Sequence, residues 1–347
     1  MVDYTGFSGV NEAIERDFAQ RLPGYHKSRR QGLTLLSSII LDVKSANLME
    51  LSAALPRDIG TIDHRYQFVS RVLGNFHIDC DVVMRAYADD IFTRLAAQGE
   101  TIVLMIDQSH INATNQVLML SVRMRDRALP VAWRVCQTKG NIGFQTQKEL
   151  LDSIQDWLPE GSKVMLAGDR FYGTAKLISW CQAAGWGYRI RLKGNLTLQH
   201  QGGEVASGEI EDLMPQGVEN AEIYRSGITT NIGVLHEDGH PESWIIAMDA
   251  KPGKYTTLDY GMRWGIEAMF SDFKTRGFGI AQSQIKKPDR LARLILVMAI
   301  AMYWAVSSGA MDEKRVAQSG IKRGFKNSDD PYVHSSSKGC ASYADAS

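Results

Sequence analysis

Four polar side chains between positions 260 and 274 form a candidate reactive group: Tyr260, Arg263, Glu267 and Lys274. At 100° per residue they fall within roughly 60° of one another on a helix. A carboxylate there can bind a metal ion, while two cations and a phenol beside it suit a phosphate group. The simpler alternative is a solvated helix in which Arg263 and Glu267 form an i,i+4 ion pair.

The apolar residues of the same stretch predict how this helix is anchored. Ile266, Met269, Phe270 and Phe273 occupy a neighbouring arc that can face a core. The polar pattern Y-x2-R-x3-E-x6-K resembles, with every spacing intact, the signature of DDE transposases of bacterial insertion sequences, in the cut-and-paste subgroup named for those four residues. The resemblance implies a DNA-cleaving and strand-transferring enzyme.

Two aspartates elsewhere in the chain are candidate partners for Glu267. Asp107 follows the apolar run 102–106, and Asp169 follows the similar run 164–167, so each is expected at the mouth of a strand. Ligands gather at the carboxyl ends of strands in α/β sheets. An Asp can equally cap a following turn or helix. The family resemblance makes Asp107, Asp169 and Glu267 the DDE triad.

The pattern around these aspartates predicts an α/β fold, and the resemblance implies a ribonuclease H-like mixed sheet. We expect a strand at 116–123, a turn at 124–127 and a strand at 129–135 in a meander. A helix at 144–158, a helix at 174–184 and a strand at 188–193 should follow. Hairpins followed by alternating strands and helices indicate one mixed sheet covered by helices.

Residues 196–250 differ in character, with ten acidic side chains and a single basic one, Arg225. Short alternating runs at 222–224, 232–235 and 244–248 predict strands. The segment resembles the β-rich insertion that such transposases place between the second Asp and the Glu. Within it, Trp244 precedes an apolar strand and resembles the residue that stacks on a displaced base during hairpin formation. The equal alternative is a plain core aromatic.

The distribution of charge agrees with a DNA partner although the formal net charge is zero. The acidic segment carries −9, so the remainder carries +9. Three clusters of cations could contact phosphates: Arg21, Lys27, Arg29 and Arg30; Arg123, Arg125 and Arg127; Lys286, Lys287, Arg290 and Arg293. Each cluster alone is more often a solvated face.

Residues 1–98 are expected to form a helical DNA-binding region. Helices are predicted through 33–43 and 48–55, and a turn at 56–60 precedes a helix with Ile62, Tyr66, Val69 and Leu73 on its apolar face. Four side chains of types that read bases are predicted to face outward from it: His64, Arg65, Gln67 and Arg71. Many helical bundles share this pattern, and only the family resemblance implies recognition of terminal inverted repeats.

The rest of the chain predicts a cytoplasmic protein that associates with the nucleoid when bound to DNA. The N-terminus shows no secretory pattern, and the apolar run 294–306, at thirteen residues, is short for a bilayer. The four cysteines lack CxxC spacing and suit free thiols. The catalytic domain is expected at 99–310, interrupted by the insertion, followed by a polar tail at 311–347 whose end, 327–347, should be disordered.

The mechanism implied by the resemblance uses the three carboxylates as ligands of Mg²⁺ or Mn²⁺, with two ions in the site. Nicking at the ends of an insertion sequence, hairpin formation and strand transfer would follow, with Tyr260, Arg263 and Lys274 holding phosphates. The partners expected are double-stranded DNA and a second copy of the chain in the synaptic complex. Alternatives are an inactive or domesticated DNA-binding relative and a ribonuclease H-like nuclease or resolvase.

Overall fold

The structure, a computed structural model, describes residues 4–215, 217–223, 225–236 and 242–319. The chain up to Tyr303 forms one compact unit, and the chain from Trp304 onward falls in a second. The tail predicted to be disordered lies outside the described residues. The proposed boundaries at 98 and 310 stay predictions.

Five helices precede the first strand, and polar caps fix where several of them begin. They are α1 (Tyr4–Arg21), α2 (Lys27–Val43), α3 (Leu48–Ala54), α4 (Ile62–Gly74) and α5 (Cys80–Ala97). Asn47, Thr61 and Asp79 precede α3, α4 and α5, and each accepts a hydrogen bond from a backbone amide of the first turn. The helices predicted from 33, 48 and 62 are therefore confirmed, whereas their role in binding DNA stays a prediction.

Ten strands form a single mixed sheet in the order β3-β2-β1-β4-β5-β10-β9-β8-β6-β7. They are β1 (Ile102–His110), β2 (Asn115–Met124), β3 (Arg127–Gln137), β4 (Val164–Gly168), β5 (Gly187–Arg191), β6 (Thr197–His200), β7 (Gly203–Ala206), β8 (Val218–Ile223), β9 (Thr229–Leu235) and β10 (Trp244–Met248). β4 pairs in parallel with β1 and β5, and the other pairs are antiparallel. This mixed α/β architecture is compatible with a ribonuclease H-like transposase fold.

Asp107 lies inside β1 rather than just beyond its end, which corrects the predicted position. The ladder between β1 and β2 continues through Asp107 opposite Met119 to His110 opposite Gln116. The apolar residues up to Ile106 are buried, but backbone pairing with β2 extends the strand through the polar residues that follow. Hydrophobicity marks the buried part of a strand and not its paired length.

The acidic segment extends the same sheet rather than forming a separate one. β10 pairs antiparallel with β5, and β9 pairs with β10. Strands occupy the predicted ranges 232–235 and 244–248. β8 covers the first part of the predicted strand at 222–224, and Tyr224 lies outside the described residues.

The helices after β3 are α6 (Phe144–Asp152), α7 (Ala175–Ala183), α8 (Ile210–Leu213), α9 (Lys254–Leu258), α10 (Gly265–Ser271) and α11 (Pro288–Ser319). α6 is shorter than predicted. Its end is turned by Ser153, whose hydroxyl donates to the Leu150 carbonyl, and a 3₁₀ turn follows at Gln155–Trp157.

The stretch from 260 to 274 is helical throughout but is not one regular α-helix, which corrects the sequence prediction. A 3₁₀ segment (Asp259–Trp264) leads into α10, and a π-helical turn (Asp272–Arg276) follows it. A Cβ at Gly265 would lie 3.2 Å from the Arg127 carbonyl carbon, so a small residue lets α10 pack closely on β3. All four residues predicted to anchor the helix are buried.

The apolar run at 294–306 belongs to a helix longer than the sequence pattern indicated. The stretch Pro288–Ser307 is long and apolar enough to cross a membrane by length and composition alone, and 61% of its apolar window is buried inside the protein. Buried core helices pass the same test, so this helix is weak evidence for a membrane span.

Candidate active site

The parallel pairing of β1 with β4 brings Asp107 and Asp169 to the same edge of the sheet. Ile106 of β1 lies opposite Gly168 of β4, and the two aspartates, Asp107 and Asp169, are the residues that directly follow this pair. Asp107 accepts from the Gln108 amide at 2.8 Å and Asp169 from the Phe171 amide at 2.9 Å, in each case through Oδ1. The turn-capping alternative is therefore realised for Asp169, whereas Asp107 lies within a paired strand and its Oδ2 contacts a cation.

That cation is Arg263, which joins the sheet to the helical stretch. Its guanidinium donates to Asp107 Oδ2 at 3.3 Å and to Glu267 Oε1, and its Nε donates to the Tyr260 hydroxyl at 3.2 Å. The 3₁₀ geometry places Tyr260 and Arg263 one turn apart, and four residues of helix separate Arg263 from Glu267. The Arg263 side chain is 9% exposed. The expected i,i+4 pair with Glu267 forms, and the same guanidinium also reaches a strand carboxylate.

The pKa of Asp107 records the electrostatics of the cluster. Burial raises it to about 6, the nearby Arg263 charge opposes this rise, and the negative charges of Asp169 and Glu267 add to it. The charges of Asp169 and Glu267 thus act on Asp107 in a partly desolvated space. Burial lowers the pKa of Lys274, and the Asp107 charge opposes that shift, so Lys274 belongs to the same cluster.

Burial alone would lower the pKa of Arg263. The interactions with Tyr260, Glu267 and Asp107 outweigh that effect, and the net shift is upward. Arg263 is therefore charged at neutral pH.

The chemistry of this donor set suits a hard divalent cation, although the carboxylates do not form a ready-made cage. Among the described residues no group of three His, Cys, Asp or Glu is placed to hold an ion. Arg263 holds Asp107 and Glu267 in the way a bridging cation would. Exchange of this guanidinium for a metal ion would leave carboxylate oxygens, which Mg²⁺ and Mn²⁺ prefer.

The sequence analysis did not identify Tyr172, a buried side chain on which the charges of Asp107 and Asp169 act. Its side chain is fully buried, and its hydroxyl has no hydrogen-bond partner among the described residues. Burial raises its pKa well above 10, and the charges of Asp107 and Asp169 add to that shift. Its position three residues after Asp169, on the turn that follows β4, was the available signal.

Trp244 lies under the helical stretch and is 4% exposed. Its ring packs edge to face on Tyr260 at 5.2 Å and on Trp264 at 5.5 Å between centroids. Trp264, which the sequence analysis did not single out, is 45% exposed. A base could reach Trp264 directly but would reach Trp244 only after the covering rings move, so the stacking role of Trp244 stays a prediction.

The four side chains predicted to read bases lie on α4, which packs against α2 and α3 and is not part of the carboxylate cluster. Three of them are exposed as predicted: His64, Gln67 and Arg71. Arg65 is a correction. Its guanidinium donates to the carbonyls of Ala53 and Leu55 at 3.1 and 3.0 Å, because the end of α3 leaves carbonyls without helical partners.

Two further corrections concern the basic clusters. Arg21 is held by Asp17 and Asp90 and lies over the ring of Tyr87. Arg293 is 7% exposed and pairs with Asp289. Sequence spacing reveals clustered charge but not which charges a folded chain neutralises.

Residues 134–304 match the family model described as Transposase DDE domain. The matched range contains Asp169 and the whole stretch from Tyr260 to Lys274, and it begins after Asp107. No curated protein matches the chain. The domain match supports a DDE transposase, an endonuclease-type enzyme whose substrate is DNA.

Proposed function

We propose that this chain is the transposase of a bacterial insertion sequence and that it cleaves and joins DNA at the inverted-repeat ends of the element. The observation that carries the proposal is that the charges of Asp169, just after β4, and Glu267, on α10, act on Asp107 of β1 in one electrostatic cluster. Three carboxylates in a partly desolvated space repel one another, and a bound cation relieves that repulsion.

Asp107, Asp169 and Glu267 would hold Mg²⁺ or Mn²⁺, and bound metal supplies activation of the attacking hydroxyl and stabilisation of the leaving oxygen, with two ions in this class of site. Arg263 would turn from the carboxylates to a phosphate, for which its planar fork is suited. Lys274 would add a point charge beside it. Tyr260 would orient the guanidinium through the contact its hydroxyl already makes.

The signature spacing supports the hairpin-forming subgroup. In that pathway the freed 3′-hydroxyl attacks the opposite strand, and a displaced base must be held outside the duplex. Trp244 is proposed to hold it after the covering rings part. Trp264 is the competing residue because it is already exposed beside Trp244.

The N-terminal helices are proposed to bind the inverted repeats through His64, Gln67 and Arg71. Arg65 would shape that surface by fixing the end of α3 rather than by touching DNA. A second copy of the chain would complete the complex that joins two ends.

An inactive DNA-binding relative is disfavoured because all three carboxylates are present and coupled. A ribonuclease H-like nuclease or resolvase would not need Tyr260, Arg263 and Lys274 beside the carboxylates, or the five strands that follow β5. Both features favour the transposase.

The test is cleavage of a DNA fragment that carries the sequence flanking the coding region, started with Mn²⁺. Asp107→Asn, Asp169→Asn and Glu267→Gln should each abolish cleavage with little change in the folded structure, because each removes a ligand charge at nearly constant shape. Asp272→Asn is the matched control, since it removes a carboxylate from the same helical stretch. Wild-type cleavage in any one of the three variants would remove that residue from the site. Loss of cleavage in Asp272→Asn would show that removing any carboxylate from this stretch abolishes activity, and the effect of Glu267→Gln would then not be specific.

A further inference from the structure

A cleft of about 490 Å³ lies between the α3–α4 pair and the segment that leads into α11. Asn47 and Tyr66 line one side, and Gln284, Lys286 and Lys287 line the other. None of the described residues that line it is acidic. The cleft therefore offers amides, a phenol and cations to a ligand, which is the chemistry of a partner that is anionic and rich in hydrogen-bonding groups.

The segment presents several polar side chains to the cleft. A 3₁₀ turn (Ile280–Ser283) ends at Gln284, whose left-handed backbone, with φ of 55°, redirects the chain toward Lys286. Gln282, Gln284 and Lys286 are exposed and line the cleft, whereas Ser283 and Ile285 between them are buried.

Two asparagines fix the backbone of this segment. Asn112 donates its side-chain amide to the Ile285 carbonyl, and Asn115 donates to the Lys286 carbonyl, both at 3.0 Å. The asparagines flank the turn between β1 and β2, the hairpin that carries Asp107. The lysine backbone is thus held in place before any ligand arrives, which lowers the cost of ordering on binding.

Arg290 closes the end of the cleft against α4. The Nη1 atom of Arg290 lies 3.4 Å from the Ser70 hydroxyl. A Cβ at Gly74 would come within 3.3 Å of the Arg290 guanidinium. The absence of a side chain at Gly74 lets the guanidinium lie on the helix. A positioned cation results at the junction of α4 with α11.

The hairpin sets the distance between the cleft and the carboxylates. Met119 of β2 lies opposite Asp107, and Asn115 is four residues earlier in β2. The distance from Met119 to Asn115 along the strand is about 14 Å. That distance corresponds to a rise of about four base pairs of DNA.

We propose that this cleft binds the sugar-phosphate backbone of duplex DNA about four base pairs from the phosphodiester that the carboxylates cleave. The inference rests on the proposed function for the identity of its partner. Lys286 and Lys287 contact phosphates, and Tyr66 packs on the sugar. The exposed side chains of α4 continue the same surface toward the neighbouring groove.

A first experiment measures which lysines DNA covers. The full chain is labelled with an amine-reactive reagent in EDTA, with and without a mixed-sequence duplex of about 40 base pairs, and modified peptides are quantified by mass spectrometry. Lys286 and Lys287 should become several-fold less reactive with DNA, whereas Lys163, exposed just before β4, should not change. Equal reactivity of Lys286 and Lys287 with and without the duplex overturns the proposal.

A second experiment measures the salt dependence of binding to the same duplex. The double variant Lys286→Gln/Lys287→Gln should lower the slope of log K against log salt by about 1.8, at roughly 0.9 for each phosphate that is no longer neutralised. The control is Lys163→Gln/Lys176→Gln, which removes two exposed lysines outside the cleft. Equal slopes in the two double variants also overturn the proposal.

Because both measurements are made in EDTA, they do not depend on catalysis. If DNA protects Lys286 and Lys287 but the wild-type protein does not cut DNA with Mn²⁺, DNA binding by the cleft is supported and the proposed transposase activity is contradicted. If the protein cuts DNA but both lysines stay reactive, the transposase activity is supported and DNA binding by the cleft is contradicted.

Discussion

Two buried arginines, Arg189 and Arg263, each pair with two carboxylates. They differ in their other hydrogen-bond partners. Arg189, on β5, pairs with Asp249 and Asp259 and also donates to the backbone carbonyls of Tyr188 and Thr256. Among the residues that the structure describes, Arg263 donates only to side chains, namely Tyr260, Asp107 and Glu267.

The difference separates a fixed arginine from an exchangeable one. Arg189 donates to two backbone carbonyls as well as to carboxylates, so moving it would break bonds to the backbone, and its geometry is tied to the fold. The carboxylates that Arg263 holds can accept a metal ion instead. Arg189 fixes the residue just before Tyr260, while Arg263 occupies the place where ligands would bind.

The largest effect expected is the loss of stability when Arg189 is removed. Arg189→Met removes the guanidinium from two carboxylates and two carbonyls and should lower the free energy of unfolding by about 3 kcal/mol. This is the low end for a broken buried pair, because both carboxylates are partly exposed and Asp249 keeps the Tyr188 amide as a donor. Urea unfolding followed by circular dichroism measures it.

The control is Arg191→Met on the same strand, whose guanidinium pairs with the exposed Glu242 and makes one long contact, at 3.4 Å, with the Ser243 carbonyl. It should cost less than about 1 kcal/mol. Equal losses in the two variants would show that strand position, rather than the two short carbonyl contacts of Arg189, decides the cost.

The second prediction concerns Arg263 and the affinity of the carboxylates for a metal ion. Arg263→Met removes the cation that competes for Asp107 and Glu267, so Mn²⁺ should bind about tenfold more tightly, or about 1.4 kcal/mol. DNA cleavage should nevertheless fall because the phosphate loses its fork. Calorimetric titration with Mn²⁺ in the absence of DNA measures the affinity.

Arg276→Met is the matched control, since Arg276 lies on the same stretch and bonds only to Ser271 among the described residues. Unchanged or weaker Mn²⁺ binding by Arg263→Met would mean that the guanidinium does not compete with metal. Arg263 would then resemble Arg189 in function, and the contrast between them would fail.

Sequence alone predicted the parts of the fold that depend on periodic burial. Three of the N-terminal helices (α2, α3 and α4), the first three strands and the anchoring residues of α10 follow from apolar spacing, which folding preserves. The length of β1 and the 3₁₀ and π geometry around α10 did not follow. They depend on pairing with β2 and on close packing at Gly265, both of which are long-range contacts.

For the candidate site, residue types and spacing selected the carboxylates that the structure couples. Trp264 was missed because nothing local distinguishes an aromatic beside a site from one in a core. For Tyr172 the one local signal was its position three residues after Asp169, which does not by itself separate the two cases. Arg65 was assigned to the wrong surface for a related reason. A helical projection predicts the direction of a side chain but not the carbonyl it will reach.

The smallest effects expected come from two tyrosines that touch the same cluster in opposite ways. The Tyr260 hydroxyl accepts from Arg263, whereas the buried Tyr172 hydroxyl has no partner among the described residues. Tyr260→Phe should therefore cost about 1 kcal/mol of stability, the net worth of one hydrogen bond. It should also slow cleavage about fivefold, because Arg263 loses the contact that orients it. Tyr172→Phe should leave stability unchanged or raise it by up to about 1 kcal/mol, since it removes a buried polar group that nothing satisfies. Thermal melts and single-turnover cleavage measure both variants. A Tyr172→Phe variant that melts as low as Tyr260→Phe would show that the Tyr172 hydroxyl is bonded in solution, and Tyr172 would then join Tyr260 as a side chain that orients the carboxylate cluster.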